Sequence, residues 1–180
     1  MRQPVCVALL FVTVALPVAQ VRAPRTLSIY MIDVEGGNAT LFVSPTGTSM
    51  LIDTGHGARD ALRIMAAAKD AGVTQIDHLI LSHYHADHFG GLTELTTRMP
   101  IRHFIDHGPS VEAPIAVTSA FFPAYTALHA KAQHTVAVAG DRIPVAGLDV
   151  RVVMSAGQAI RTPLLGAGRP NPYCAQYTPK

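Results

Sequence analysis

His-Tyr-His-Ala-Asp-His, residues 83–88, places three imidazoles and one carboxylate within six consecutive positions. Imidazole nitrogen and carboxylate oxygen are the ligands that borderline divalent ions such as zinc prefer, at distances of about 2.0–2.2 Å. A structural zinc site more often recruits cysteine, and this stretch has none. The cluster therefore predicts a metal site that carries out chemistry.

The residues on either side place this cluster on a loop that leaves a strand. Residues 78–81 read His-Leu-Ile-Leu, an apolar run with β character, and Gly90 and Gly91 follow the cluster. In an extended segment, side chains two positions apart point the same way, so His83 and His85 share one direction while the other two ligands fall past the bend. One short loop can thus serve two neighbouring metals, and the glycines let the backbone pass close to them.

The pattern His-x-His-x-Asp-His at the end of a strand resembles the signature of the metallo-β-lactamase-fold hydrolase superfamily. The matching positions are His83, His85, Asp87 and His88. Residues 50–55, Met-Leu-Ile-Asp-Thr-Gly, are similar to the earlier strand of that family, which ends in Asp-x-Gly. By this resemblance Asp53 is a carboxylate at the mouth of the metal site that orients the ligands.

A third stretch, residues 30–40, is similar to the Asp-Val-Gly-x-Gly-Asp-Ala opening of one branch of the superfamily. That branch is related to the competence-type DNA-uptake protein. Glu35 and Asn38 stand where glycine and aspartate are usual. The whole resemblance covers residues 27–154.

The resemblance implies an α/β (α+β) fold, a four-layer αβ/βα sandwich of two β-sheets with helices outside. A complete member continues with strands that bring another histidine, a bridging aspartate and a last histidine, whereas no histidine follows His134 here. Our interpretation is that residues 24–180 form one truncated domain that supplies about the first half of the fold. We then expect the inner face of its sheet to expose an apolar patch larger than a few hundred Å².

The implied cofactor is zinc, two ions per complete site, although manganese and iron suit the same ligands. By resemblance His83 and His85 hold the first metal, and Asp87 and His88 hold the second. A metal ion lowers the pKa of bound water to about 7, and a second ion about 3.5–4 Å away can hold the electrophile. The catalytic role falls to Asp87, which takes or gives the proton of the attacking water.

Other polar residues receive weaker assignments. His56 follows Gly55 near the expected mouth, where it either contacts substrate or metal or is a solvated loop histidine. The same alternatives apply to residues 106–108, Asp-His-Gly, which follow a predicted strand. The remaining histidines are predicted to be surface or packing residues: His78, His103, His129 and His134.

Residues 1–23 have the features of an export signal. A basic start is followed by the apolar run 5–19 and a small-residue end, Val-Arg-Ala. The run is shorter than the roughly twenty residues that span a bilayer, so we expect no stable membrane span, with an uncleaved anchor as the alternative. The protein is then exported, to the periplasm or the cell exterior.

Charge and motif content exclude several function classes. Without Arg2 and Arg22 of the signal, 12 of the 14 basic side chains remain, against 12 acidic ones, and no run of Lys or Arg occurs. A nucleic-acid partner is therefore compatible but not favoured, because such proteins neutralise phosphates with basic patches. No serine-hydrolase triad and no Gly-Lys-Ser/Thr phosphate loop is recognisable. Only one cysteine, Cys174, lies outside the signal, so no internal disulfide can form.

The remaining chain predicts strands first and then an alternation of helices and strands. Strands 27–32, 39–43 and 50–53 form an antiparallel meander, and helix 59–71 has Leu62, Met65 and Ala66 on one side and ends at Gly72. The later elements are strand 78–81, helix 91–98, strand 101–105, helix 116–132 and strands 135–138 and 148–154. Beyond residue 154 the Gly- and Pro-rich sequence predicts a connecting segment without further strands.

Three functions remain open from the sequence. The first is an exported zinc-dependent hydrolase acting on a small-molecule ester, amide, lactone or phosphodiester through a metal-activated water. The second is a nuclease or phosphodiesterase of the DNA-uptake-related branch. The third is a truncated, catalytically inactive fragment that binds metal weakly.

Overall fold

The computed structural model describes residues 26–110, 116–169 and 172, with the backbone alone over 116–120. The predicted export signal, residues 1–23, lies outside the described residues. Within the described ranges, no helix is both long enough and apolar enough to cross a membrane.

A six-stranded mixed sheet forms the centre of the domain. Its strands, which lie side by side in chain order, are β1 Ser28–Met31, β2 Thr40–Val43, β3 Ser49–Ile52, β4 His78–Ile80, β5 His103–Asp106 and β6 Gln133–Val136. The first three strands pair antiparallel, and β3 to β6 pair parallel. The antiparallel meander and the α/β alternation that the sequence predicted are therefore confirmed.

The helices connect the parallel strands and pack on one face of the sheet. They are α1 Ala58–Asp70, α2 Ala86–Phe89, α3 Leu92–Arg98 and α4 Ala116–His129. The main core lies between them and alternate residues of the strands, among them Leu41, Leu51, Leu79 and Phe104, all 3% exposed or less. Tyr125 of α4 is buried in the same core, as the sequence predicted.

Helix α1 buries a different side from the predicted one. Ala61, Ile64 and Ala68 are fully buried, whereas Leu62 is 51% exposed. These three residues follow the i, i+3, i+7 spacing of one helical stripe, and Leu62 lies about a quarter turn away from it. The predicted apolar side is therefore wrong for Leu62 and Ala66, which are exposed, whereas Met65 is partly buried against the core. Gly72 has a φ of 69°, so the predicted left-handed glycine after the helix is confirmed.

A small hairpin covers the middle of the opposite sheet face. Strands β7 Arg142–Ile143 and β8 Val150–Arg151 pair antiparallel, and Ile143 is buried against Met50 and Ile105 of the sheet. The prediction that this face of the sheet is exposed is therefore wrong for the centre of the sheet. At the edge strand β1 the face stays open, where Ile29 is 54% and Met31 is 88% exposed.

A second hairpin lies beyond residue 154, where the sequence predicted only a connection. Strands β9 Met154–Ser155 and β10 Gln158–Ala159 pair antiparallel. The two residues between them, Ala156 and Gly157, have φ values of 47° and 74°. Positive φ at both central positions is the type I′ geometry that matches strand twist. The prediction missed the hairpin because its strands are only two residues long.

The parallel part of the sheet decides where polar loops gather. Parallel strands end at the same edge, so the segments that follow β3, β4 and β5 emerge beside one another. Asp53 follows β3, residues 82–88 follow β4, and Asp106 ends β5. This edge is where open α/β sheets bind ligands.

Candidate active site

The loop after β4 separates its imidazoles from the core by alternation. Tyr84 is buried, whereas its neighbours His83 and His85 are half-buried and exposed. His85 is also the N-cap of the short helix α2, and its carbonyl accepts the backbone N–H of His88 at 2.9 Å. Asp87 and His88 therefore lie on the first turn after the bend, as the sequence predicted.

Tyr84 anchors this loop in an aromatic cluster. Its ring contacts those of Phe121, Phe122 and Tyr125 of α4, at centroid distances of 4.8–6.4 Å. Its hydroxyl donates to the Gly108 carbonyl at 2.7 Å. Burial raises the pKa of the Tyr84 phenol well above its usual range, so this group stays a hydrogen-bond donor.

Asp53 is the buried carboxylate at the base of the site. It is 1% exposed and has a φ of 61°. The Ser82 backbone N–H donates to Oδ1 at 2.7 Å, and the Ser82 hydroxyl donates to Oδ2 at 2.6 Å. The side-chain amide of Asn38 approaches Oδ2 at 3.3 Å. These bonds hold the carboxylate in one orientation.

That orientation fixes the ring of His88. Its Nδ1–H donates to Asp53 Oδ2 at 2.8 Å, which leaves Nε2 with a lone pair. Nε2 lies 3.6 Å from Oδ2 of Asp87. A carboxylate behind a ligating histidine is the usual way in which proteins set the ring and tautomer of a metal ligand. The predicted orienting role of Asp53 fits this geometry.

The other two imidazoles lie next to His88. The ring of His83 is 3.9 Å from that of His88 and 4.6 Å from that of His85, measured between centroids. Burial lowers the pKa of His83, and the neighbouring His88 and His85 lower it further. A neutral imidazole is the form that binds metal.

The four predicted ligands are suited to a divalent metal by chemistry, and one pair is suited by distance. Two ligands of a tetrahedral zinc ion at about 2.0–2.2 Å lie about 3.3–3.6 Å apart, which matches the separation between His88 Nε2 and Asp87 Oδ2. Over the described part of the chain, however, no three His, Cys, Asp or Glu side chains form a group that could hold an ion. His83 and His85 would have to rotate to complete one.

The loop before β2 supports Asp87 from the other side. The backbone N–H of Asn38 donates to the Asp87 carbonyl at 3.3 Å. A Cβ on Gly37 would lie 1.8 Å from that carbonyl oxygen, and Gly37 has a φ of 70°. Only glycine allows this close approach. The segment that resembles the family opening thus directly contacts residues 82–88, which we call the metal loop after the predicted ligands that it carries.

A cleft of about 480 Å³ opens beside Asp87. It lies between the tip of the loop at Glu35 and the start of α1, and His56 lines its rim. Arg59 and Arg63 both donate to the Glu35 carboxylate at 3.0 Å and so hold the loop against α1. His56 lines this cleft and is exposed, and its backbone N–H donates to the Asp60 carboxylate.

Two further networks of polar residues lie outside the loop, and their central residues, Asp106, His78 and His103, are buried. The Asp106 carboxylate accepts from the Tyr125 hydroxyl at 2.7 Å, from His134 Nε2 at 2.8 Å and from the Gly108 backbone N–H at 2.8 Å. On the opposite sheet face, the Nδ1 atoms of His78 and His103 are 3.1 Å apart. Both histidines are buried, in line with the predicted packing role.

Ser82 is the site residue that sequence reasoning missed. Its hydroxyl reaches Asp53 and lies 3.1 Å from His83 Nδ1 and 3.4 Å from His88 Nδ1. Its signal was its position directly before the histidine motif. A serine at the end of a strand is too common to be selected without knowing that Asp53 lies opposite.

A model of the metallo-beta-lactamase superfamily matches residues 32–129, more than half of the chain, and spans Asp53 and the histidine loop. The chain belongs to the metallo-beta-lactamase superfamily. This assignment agrees with the mixed α/β fold, in which a sheet carries its helices on one face.

Curated relatives match the chain over short stretches. Thioesterase pkgB of Emericella nidulans is 35% identical over 74 residues, which cover 41% of this chain and 22% of that protein. A metal-dependent hydrolase of Staphylococcus saprophyticus is 34% identical over 65 residues, 34% of this chain and 25% of that protein. The matches thus span about a fifth to a quarter of the length of these superfamily relatives.

Solved structures of the superfamily are more distant. MEM-A1, a subclass B3 metallo-beta-lactamase from a soil metagenome library, is 21% identical. It covers 68% of this chain and 47% of its own, with a TM-score of 0.46.

Proposed function

We propose that this chain is a metal-dependent hydrolase that attacks the carbonyl of an ester or thioester with a water activated at residues 83–88. The observation that carries the proposal is the chain of contacts from Asp53 through His88 to Asp87. In this chain of contacts the buried Asp53 carboxylate orients the His88 ring and fixes its tautomer. Asp87 is a second donor, at the distance from His88 that two ligands of one metal ion have. The superfamily relatives named as a thioesterase and a metal-dependent hydrolase support the same chemistry.

Each residue has a separate task in this proposal. His83, His85 and His88 would hold zinc through neutral imidazoles, with Asp87 as the carboxylate donor. A bound zinc ion would supply a Lewis acid and a water whose pKa is lowered to about 7. Asp53 keeps the His88 ring in place, and Ser82 and Asn38 keep Asp53 in place. The Asp87 carboxylate, 42% exposed, would accept the proton of the attacking water.

The setting of the reaction is also part of the proposal. Residues 1–23 would direct export, and residues 24–180 would act as the metal-binding domain in the periplasm or outside the cell. The near-neutral charge of that segment supports a small-molecule substrate over a nucleic acid. The DNA-uptake-related nuclease and the inactive fragment remain the alternatives.

The test combines zinc binding with hydrolysis. The full chain would be titrated with Zn²⁺ by calorimetry and assayed on p-nitrophenyl acetate, an acyl thioester, a chromogenic β-lactam, a lactone, bis(p-nitrophenyl) phosphate and single-stranded DNA. We expect one to two equivalents of zinc and activity on the ester and thioester. His83→Ala should abolish both, whereas His129→Ala, at a histidine at the end of α4 and outside the loop, should leave both unchanged.

The same measurements identify the alternatives. Activity confined to the phosphodiester or DNA and lost in His83→Ala would replace our proposal with the nuclease. Less than half an equivalent of zinc, without hydrolysis, would replace it with the inactive fragment. Ester hydrolysis that survives His83→Ala would contradict any role of the loop.

A further inference from the structure

A second cavity, of about 380 Å³, lies on the other side of the metal loop. It opens between the ends of β4 and β5 and the β9–β10 hairpin. Its walls are mostly carbon atoms, contributed by Ile80, Ile105, Ala137, Ile143, Val152 and Met154. None of the four predicted metal ligands lines this cavity.

The polar groups in the cavity wall do not present free charge to it. Asp106 lines the cavity, but its carboxylate already accepts the three hydrogen bonds from Tyr125, His134 and Gly108. No Lys or Arg lies among the lining residues. An uncharged apolar group would thus enter without leaving a buried ion unpaired, whereas a charged group would meet only the half-buried imidazole of His107.

The cavity is continuous with the metal loop through one residue. Ser82 lines the cavity, and its hydroxyl lies 3.1 Å from His83 Nδ1 and 3.4 Å from His88 Nδ1. A ligand that fills the cavity therefore has one end beside the histidines. Apolar pockets with a few polar groups at one end are typical of small-molecule sites.

We propose that this cavity binds the apolar acyl or alkyl arm of the substrate whose carbonyl reacts at the metal loop. The inference rests on the proposed function for the position of the carbonyl. The cavity volume of about 380 Å³ corresponds to about 13 groups the size of a water molecule, which take up about 30 Å³ each in a liquid, so a chain of about six to ten carbons fits with space left over. Each added methylene up to that length should strengthen binding about threefold to fourfold.

The first experiment measures binding without catalysis. The full chain, labelled with ¹³C at its Ile, Val and Met methyl groups, would be titrated with 1-octanol and with 1-butanol. We expect octanol to shift the methyl signals of Ile80, Ile105 and Ile143, and butanol to do so only at much higher concentration. Ile29 and Met31 are the internal control, because they are exposed apolar residues outside the cavity. Shifts of equal size at Ile29 and Met31, or none at the cavity, would overturn the proposal.

The second experiment measures selectivity for chain length. In p-nitrophenyl esters from acetate to decanoate, kcat/KM should rise about threefold to fourfold per methylene and then level off. Met154→Lys places a charge at the cavity mouth and should reduce the increase of kcat/KM with chain length. For the octanoate ester, we expect kcat/KM to fall at least tenfold. Met154 is 62% exposed, so the lysine is compatible with folding. Val153→Lys is the matched control, since Val153 is exposed and does not line the cavity.

The two experiments separate this inference from the proposed function. If no ester is hydrolysed but octanol shifts the cavity methyls, the hydrolase proposal fails and the apolar site stands. If esters are hydrolysed at the same rate for every chain length, and octanol leaves the cavity methyls unchanged, the apolar site fails alone. A Val153→Lys variant that loses chain-length selectivity as fully as Met154→Lys would also overturn the cavity as its cause.

Discussion

The Asp53 side chain, directly after strand β3, links this strand to the metal loop by hydrogen bonds. It is buried, and each of its acceptor positions is used by Ser82, Asn38 or His88. A buried carboxylate needs such partners, because an unpaired one would be costly. Its positive φ adds a further constraint, since Asp and Asn tolerate the left-handed region better than most residues.

Asp53→Asn tests this role with little change in shape. Asparagine tolerates the left-handed conformation, and its Oδ1 still accepts from Ser82. The amide holds the His88 ring less firmly, so we expect zinc to bind about 10–100-fold more weakly. Competition with a chromogenic chelator measures this change. Asp149→Asn, at a carboxylate that is 71% exposed, is the matched control, and equal zinc affinity in the two variants would rule out the orienting role.

Gly37 allows two loops to touch. Gly36 and Gly37 both have positive φ, but only a Cβ at Gly37 would meet the Asp87 carbonyl, at 1.8 Å. Gly36→Ala and Gly37→Ala each place an alanine at positive φ, 147° and 70°, which costs about 1–3 kcal/mol of unfolding free energy. Gly37→Ala should cost more and should also weaken zinc binding, because Asp87 must move. Urea denaturation and zinc titration of both variants measure the difference, and indistinguishable results would show that the contact is unimportant.

At the scale of elements, Tyr84 anchors the loop after β4 by packing into the core. Its neighbours alternate outward because the phenol is inserted between the sheet and α4. The hydroxyl bond to the Gly108 carbonyl connects the loop after β4 to the loop after β5. The loop is thus fixed by packing even though its ligands lie near the surface.

Tyr84→Phe keeps this packing and removes one hydrogen bond. The Gly108 carbonyl loses its partner in a buried setting, so we expect the free energy of unfolding to fall by about 1–2 kcal/mol. Tyr30→Phe is the control, because the Tyr30 hydroxyl bonds to Asp70 at the surface and its loss should cost less than about 0.5 kcal/mol. Chemical denaturation measures both variants. A Tyr84→Phe variant as stable as Tyr30→Phe would contradict the anchoring role of the hydroxyl.

At the scale of the whole molecule, buried imidazoles make stability depend on pH. Burial is the largest cause that lowers the pKa of His78, and the Asp77 carboxylate opposes it only in part. Burial also lowers the pKa of His103, and the neighbouring imidazoles of His78 and His134 lower it further. In the unfolded chain both histidines have a pKa of about 6.5. The unfolded state therefore binds protons first as the pH falls, so these two residues contribute full stability above about pH 6.5 and lose it below that value.

We therefore expect the free energy of unfolding to decrease between about pH 7 and pH 5. Urea denaturation across this range measures the decrease. His103→Gln removes one buried imidazole while keeping a donor for the Thr135 hydroxyl, which His103 Nε2 meets at 2.8 Å. This variant should lose stability less steeply on acidification than the parent protein. The same slope in both would show that His103 does not titrate on unfolding.

The sequence alone determined which candidate ligands the loop after β4 carries and the order of the elements. His83, His85, Asp87 and His88 lie within six residues, so their types and spacing are local information. The antiparallel meander at the start of the sheet and the alternation of helices and strands after it also followed from local strand and helix patterns. Short-range periodicity is written directly in the chain, because each element forms from residues close to one another.

Only the tertiary structure decided how distant residues meet. The bond from His88 to Asp53 joins positions 35 apart, and Ser82 became a site residue only because Asp53 lies opposite. The buried side of α1 and the hairpin over Met50 depended likewise on which surfaces face one another. Burial and hydrogen bonding of this kind result from packing between elements, and no local pattern in the sequence fixes them.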